Sequence, residues 1–398
     1  MKVCFISHSS AKGGAERALI ELVDALRERG IEVRVILPSY GPLIEELKSR
    51  QITYQVFPYK WWMSKNSPIW KRIGRTVLNL SSIIPLAVML KCWKCDVVYT
   101  NTITVCAGAF AAKLLRLPHV WHIHEFGYED HGLVFDFGPR VSLWLMDWLS
   151  TVCIANSFAV AQKYQQFFKP PKLRVIYQSV SIPSDVLAEK IAVAGNAEIR
   201  CVIVGTLQEG KRQEDAIRAI GELVRQGIKP HLFIVGGGDQ KYTQYLKDLV
   251  IQEGLGDYIT FTGYVENPSI FMQNADVVLM CSRSEAFGRV TVEAMIMGKP
   301  VIGAKSGATP ELICEGFNGL LYTLGDYKDL ARKILYLYEH PELAKQMGEN
   351  GRQWATRWFT RDRYVEEVLS ILQYCVRQYK RKGRFPGNAP RNRPADTA

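Results

Sequence analysis

Ser282-Arg-Ser-Glu285-Ala-Phe-Gly-Arg-Val-Thr-Val-Glu293-Ala-Met-Ile-Met-Gly298-Lys-Pro300-Val-Ile-Gly303 links one apolar run to the next. Two glutamates stand in it with seven residues between them. Glu285 precedes a Phe-Gly turn. Glu293 falls inside a helical pattern that stops at Gly298, and a buried strand begins after Pro300. Carboxylates accept hydrogen bonds from hydroxyls, and the open N–H groups of a helix start receive anions. The arrangement suits a polyhydroxylated, phosphate-bearing ligand. It also reads as an ordinary loop with one surface and one helical glutamate.

Outward from this stretch the chain alternates strand and helix. Residues 276–280, 258–261, 231–236 and 199–205 read as short strands, with helices at 214–225 and 241–252 between them. The same rhythm fills the first half. Strands are expected at 3–7, 33–37, 96–100, 120–124 and 151–155, and a helix at 15–29 carries Leu19, Leu22, Val23 and Leu26 at helical spacing. Alternating βαβ units imply a parallel, doubly wound sheet. A break near residues 179–198 separates two such series, so the fold class is α/β, with two Rossmann-like domains facing a central cleft. Helical patterns run from 326 to about 377. From Lys380 the chain turns to Pro, Gly, Arg and Asn without periodicity, as disordered segments do.

Ligands of parallel sheets sit at the carboxyl ends of strands. The residues that stand out gather there: Gly13 and Gly14, Asn101, His124, 205–211, 236–238, 263–265 and 285–288. Lys12-Gly-Gly-Ala-Glu-Arg17 connects the first strand to the first helix, where paired glycines let backbone approach a ligand. It departs from the dinucleotide fingerprint, which disfavours a nicotinamide dehydrogenase. His122 and His124 lie two apart at a strand end and so face one side. Both could look into the cleft, and both could equally be hydrogen-bonded core residues. Lys211, in a loop after residues 199–205, can meet a phosphate as a point charge or remain a solvated lysine. Glu293 can accept from two vicinal hydroxyls, as a ribose requires. No Asp-x-Asp pair supports a carboxylate-held metal.

Composition bounds the rest. The 398 residues are 47% hydrophobic and 22% charged, enough for two cores in a soluble protein. Met1 to Ser7 reads as a first strand rather than a secretory leader. Nine scattered cysteines suit a reducing compartment, and Cys92-Trp-Lys-Cys95 lacks a second pair at metal spacing. The net charge of +11 is concentrated in the first half and in the tail from Arg377. Nucleic-acid binding would rest on the basic pI alone and is not expected. Residues 60–75 interleave Trp61, Trp62 and Trp70 with lysine and arginine ahead of an apolar run at 76–90. That mixture suits a membrane interface or a lipid-linked acceptor, or a solvated loop on a core helix. The run contains Asn79 and Pro85 and is expected to be too short to span a bilayer.

The Glu-x7-Glu stretch, with Ser306-Gly-Ala-Thr-Pro-Glu311, Gly316-Phe-Asn-Gly and the early Gly-Gly-Ala-Glu-Arg, resembles glycosyltransferase family 4, retaining enzymes of the GT-B fold. The resemblance runs to about residue 378. It implies an acceptor-binding domain at 1–185, a nucleotide-sugar-binding domain at 190–355, a helix at 356–378 crossing back to the first domain, and a basic tail at 380–398. It implies that His124 and Glu285 stand at the transferred sugar. Gly13, Gly14, Lys211, Val265, Phe287, Gly288 and Glu293 would bind the donor, with Asn101, His122, Thr206 and Arg212 as further candidates. Thr206 stands where many members carry arginine, and Arg212 could take over its phosphate contact. The implied partners are a nucleotide-sugar donor and a saccharide or lipid-linked acceptor, with an anionic membrane surface as a further one. No cofactor or metal is implied beyond the nucleotide sugar as co-substrate. The setting is cytoplasmic, at the inner face of the membrane, in cell-surface polysaccharide or glycolipid synthesis. A GT-B sugar-nucleotide epimerase and a non-catalytic sugar or lipid-surface binding protein are the alternatives.

Overall fold

Alternation along the first strand sets the layers of the first half. In the computed structural model, which describes residues 1–182 and 198–382, β1 (Lys2–Ile6) turns Val3 and Phe5 to one face and Cys4 and Ile6 to the other, all fully buried. A strand buried on both faces needs a helical layer on each. The chain supplies them in order: α1 (Gly14–Glu28), β2 (Glu32–Leu37), α2 (Leu43–Ser49), β3 (Thr53–Val56), β4 (Met63–Ser64), α3 (Ile69–Cys92), β5 (Val97–Asn101) and α4 (Ala107–Leu114). Then come β6 (His119–Ile123), α5 (Tyr128–His131), β7 (Val134–Phe135), α6 (Gly138–Leu149), β8 (Val152–Ala155), α7 (Phe158–Tyr164) and β9 (Leu173–Val175). Seven strands form a parallel sheet in the order β3-β2-β1-β5-β6-β8-β9, and β4 pairs antiparallel with β7 beside it. Helices α1 and α2 cover the Val3 and Phe5 face. Helices α3, α4, α6 and α7 cover the other.

The second half repeats the plan. It runs β10 (Ile199–Val204), α8 (Gln213–Arg225), β11 (Pro230–Val235), α9 (Gln240–Gln252), β12 (Ile259–Gly263), α10 (Ser269–Asn274) and β13 (Val277–Met280). It continues with α11 (Arg289–Ile296), β14 (Val301–Ala304), α12 (Thr309–Leu312), β15 (Gly319–Tyr322), α13 (Tyr327–Glu339) and α14 (Pro341–Trp358). The parallel order is β12-β11-β10-β13-β14-β15. Both sheets therefore reverse direction once, at β1/β5 and at β10/β13, and each reversal opens a crevice at the strands' carboxyl ends. Gly236 holds the end of β11 close to β10: a Cβ there would meet the Gly205 carbonyl oxygen at 2.1 Å.

The two halves are joined twice. Val180 packs in the second core and its N–H donates to the Phe359 carbonyl at 3.1 Å. Helix α15 (Arg361–Lys382) then returns to the first domain, where Tyr364, Val365, Val368, Leu372 and Cys375 complete the layer of α1 and α2. The crossing helix thus starts at Arg361 rather than 356, because α14 continues to Trp358. Residues 380–382, expected in the aperiodic tail, are its last turn. The remaining tail, 383–398, and most of the expected link, 183–197, lie outside the described residues. Helix α3 is longer than the 76–90 run suggested and is apolar enough over Ile69–Cys92 to cross a bilayer. Pro85 does not break it, since that residue sits on the helix's exposed side. All nine cysteines are free thiols, and the buried Cys95 thiol shares a hydrogen bond with Cys4 rather than with exposed Cys92.

Candidate active site

The two crevices face one another and enclose a cavity of ≈ 550 Å³. The first domain contributes His8 and Gly14 after β1, Thr102 and Thr104 after β5, His124 and Glu125 after β6, and Asn156 after β8. The second contributes Gly205 and Thr206 after β10, Lys211, and the run from Ser284 to Val290 after β13.

Burial fixes the state of His124. Its Nδ1 accepts from the Gln178 amide, its carbonyl accepts from Asn156 Nδ2 at 3.1 Å, and its Nε2 has no protein partner. Desolvation, reinforced by His122, His8 and Arg289, holds its pKa well below the usual value. The ring is therefore neutral. With Nδ1 accepting, the proton is on Nε2, a free donor in the cavity wall. Glu125 sets the backbone beneath it, Oε2 accepting the His124 N–H at 2.8 Å and Oε1 the Ile103 N–H at 2.9 Å. Burial pushes the Glu125 carboxyl up to about 8, with Asp130 adding to the shift.

Across the cavity the Lys211 ammonium donates to Glu285 Oε2 at 2.7 Å. Burial works against the Glu285 carboxylate, but Lys211 and a hydrogen bond from Ser282 outweigh it and hold the pKa below the ordinary carboxylate value. The loop is pinned from behind: the Ala308 N–H donates to the Glu285 carbonyl at 2.7 Å. Gly307, at φ +56, lies so close that a Cβ would come within 2.6 Å of Glu285 N and O. Gly288, at φ +95, caps α11, and the first residues of that helix, Arg289 and Val290, line the cavity. A helix start opening there favours an anion.

Seven of the sequence candidates line the cavity: Gly14, His124, Thr206, Lys211, Glu285, Phe287 and Gly288. Four others stand in support. Gly13 caps α1 behind Gly14, its N–H donating to Glu16 Oε2 at 3.1 Å. Asn101 Nδ2 donates to the Ala15 carbonyl at 3.2 Å, which ties the glycine loop to β5. Glu293 is buried one turn inside α11, 3.9 Å from Arg289. Burial raises its pKa, opposed by Arg289 and Arg17. His122 does share a side with His124, ring centroids 4.0 Å apart, but one layer deeper. Its Nδ1 meets the Tyr99 hydroxyl at 2.6 Å, so it is a core residue rather than a cavity one.

Two candidates turn away. Arg212, at φ 50, closes on its own helix, its guanidinium forked onto Asp215 at 2.7 and 2.9 Å. Val265 is half-buried and packs against the second core outside the cavity, because β12 is the edge strand and lies two strands from the crevice. Trp61 and Lys65, from the aromatic and basic stretch at 60–75, also line the cavity, as do His8 and Gln178, which carried no sequence signal of their own. Glu16 could have been found from its place three residues after Gly13. It gathers His8 Nε2 at 3.2 Å, the Ser9 hydroxyl and the Gly13 N–H into one loop. Among the described residues no group of three His, Cys, Asp or Glu side chains could hold a metal ion.

Comparison with known proteins agrees with this geometry. Residues 12–182 match the model of Glycosyltransferase Family 4, and residues 189–354 that of Glycosyl transferases group 1. The putative glycosyltransferase EpsD of Bacillus subtilis is 32% identical over 312 residues, 74% of this chain and 80% of that one. The N-acetyl-alpha-D-glucosaminyl L-malate synthase of Bacillus anthracis is 25% identical over 389 residues, covering 92% of this chain and 96% of that enzyme. Among solved structures, Anabaena Alr3699/HepE in complex with UDP superposes with a TM-score of 0.76 at 25% identity, over 94% of this chain and 100% of that one.

Proposed function

This chain is a GT-B glycosyltransferase of family 4, and from that premise we propose that it moves a sugar from a nucleotide-sugar donor to a saccharide or lipid-linked acceptor, with retention and without a metal ion. The observation that carries the reading is the Lys211–Glu285 pair sharing one cavity with the free Nε2 donor of His124 from the opposite domain. In this reading the donor's diphosphate lies at the start of α11, between Gly14 and Lys211. Glu293 reaches the ribose hydroxyls. Glu285 and His124 hold the transferred sugar.

Charge then dictates the chemistry. As the anomeric carbon–oxygen bond breaks, its electron pair goes to the departing phosphate oxygen. Lys211 and the N–H groups of the α11 start stabilise that charge in a site shielded from water. The acceptor hydroxyl forms its bond to the anomeric carbon on the face just vacated, and its proton passes to the departing phosphate oxygen. No carboxylate needs to attack, and Glu285, kept ionised by Lys211, supports the positive character at the sugar.

The likeness to a UDP-bound structure makes UDP-sugars the first donors to try, with cell-surface polysaccharide or glycolipid assembly in the cytoplasm as the setting. The test is a thermal-shift panel of UDP-, GDP- and ADP-sugars in EDTA. One donor class should stabilise the chain, and Glu293→Ala should abolish the shift. NMR of the product should report the donor's own anomeric configuration. No shift with any donor would overturn the reading; donor binding with no acceptor-dependent product would turn it to an epimerase.

A further inference from the structure

Helix α3 has two apolar faces. Leu86, Ala87 and Leu90 on one are buried against the sheet. Ile69, Ile73, Val77, Leu80, Ile84 and Val88 on the other are all more than half exposed. Their spacing of three or four residues makes one continuous stripe. A core accounts for the first face and leaves the second without a use. In the same layer α6 exposes Trp144 and Trp148, stacked with centroids 6.3 Å apart, and α4 between them exposes Leu114.

Charge decides what covers this face. Between Glu46 and Glu125 the sequence has eleven lysines and arginines and one acid, Asp96. That acid accepts the Lys2 N–H at 2.7 Å. The acid of α6, Asp147, is buried and paired with Lys172 at 3.1 Å. Lys71, Lys91, Lys113, Arg116 and Arg140 are exposed. An apolar stripe with tryptophans and a purely cationic border matches the boundary between acyl chains and anionic headgroups.

We propose that the α3–α4–α6 face docks flat on an anionic phospholipid bilayer. Helix α3 lies on the membrane and does not cross it, because its inner side belongs to the fold. Asn79 accepts the Lys60 N–H at 2.8 Å and Arg75 grips Asp136 at 3.0 Å. The chain runs directly from Trp61 and Lys65 in the cavity wall to the first turn of α3. Docking therefore sets that side of the cleft at the lipid surface, where an acceptor carried on a lipid would enter. This last consequence rests on the glycosyltransferase reading; the docking does not.

Flotation of the full chain with phosphatidylcholine vesicles, and with vesicles containing phosphatidylglycerol, tests it. Binding should require the anionic lipid and weaken with salt. Ile73→Ser/Val77→Ser/Leu80→Ser and, separately, Lys71→Gln/Arg116→Gln/Arg140→Gln should each lower partitioning by about tenfold. The charge variant keeps the test open if the first misfolds. The donor-induced thermal shift should persist in both. Wild-type protein that ignores anionic vesicles would overturn the proposal. So would a dimer in light scattering that the stripe variant dissolves while flotation stays unchanged, which would make the face a contact between copies. Vesicle binding without any donor response would sink only the glycosyltransferase reading.

Discussion

Lys211 and Glu285 hold each other's charge 2.7 Å apart, and each keeps the other ready for a ligand. Lys211→Met should leave Glu285 buried and unpaired and remove a charge-assisted contact to the donor. We expect donor affinity to fall about ten- to a hundredfold, measured by calorimetry. Glu125 gives a pH signature. Its folded pKa of about 8 lies above the ordinary 4.5. Its contribution to stability is therefore complete below 4.5 and drains as the pH rises through 8. Glu125→Gln should flatten the fall of Tm across that window; an unchanged slope would reject the assignment. At this scale the sequence was a partial guide. Residue type and strand-end position marked Lys211, Glu285 and His124. They did not tell His124 from His122, because two residues on one side of a strand differ in depth. The direction of Arg212 was not legible, because Asp215 three residues on competes for the guanidinium.

Loops in contact explain why Glu285 holds its place. The Gly307 backbone touches that of Glu285, and no side chain fits between them. Gly307→Ala should leave a folded protein by circular dichroism and cut turnover by about a hundredfold, as expected for a displacement near 1 Å. The strands buried on both faces were legible as apolar runs. β3, β9 and β15 were not: β3 and β9 are half-exposed edge strands, and β15 follows a run of turn residues. The full extent of α3 was hidden by its first turns, where Lys71, Arg72 and Arg75 break the apolar run and read as part of the stretch ahead of it.

Between the domains, polar latches stand beside the apolar contacts of Tyr177 and Val180. The Glu311 carboxylate on α12 accepts the N–H groups of Phe158 and Ala159 at the start of α7, and also the Tyr177 hydroxyl. Arg289 on α11 forks onto Glu21 of α1, with its closer contact at 2.9 Å. Glu311→Ala should loosen this latch, raising the donor KM several-fold while the melting temperature changes little. Leu372→Ala in the crossing helix should do the reverse. It should destabilise the first domain by about 2–4 kcal/mol in urea unfolding and leave donor affinity in the folded protein intact. The cleft was foreseeable because strand-end residues of both halves share one chemistry. The return of α15 was expected from the family resemblance alone, since helical periodicity says which face is buried and never against what.

That return has a consequence for synthesis. The first domain to leave the ribosome lacks part of one helical layer until residues 361–382 emerge, after the whole second domain. Nascent chains must therefore carry the uncovered face of β5 and β6 beside α1, including Tyr99, through most of translation. The half that is made first is completed last, and a stalled chain would display that bare surface to chaperones.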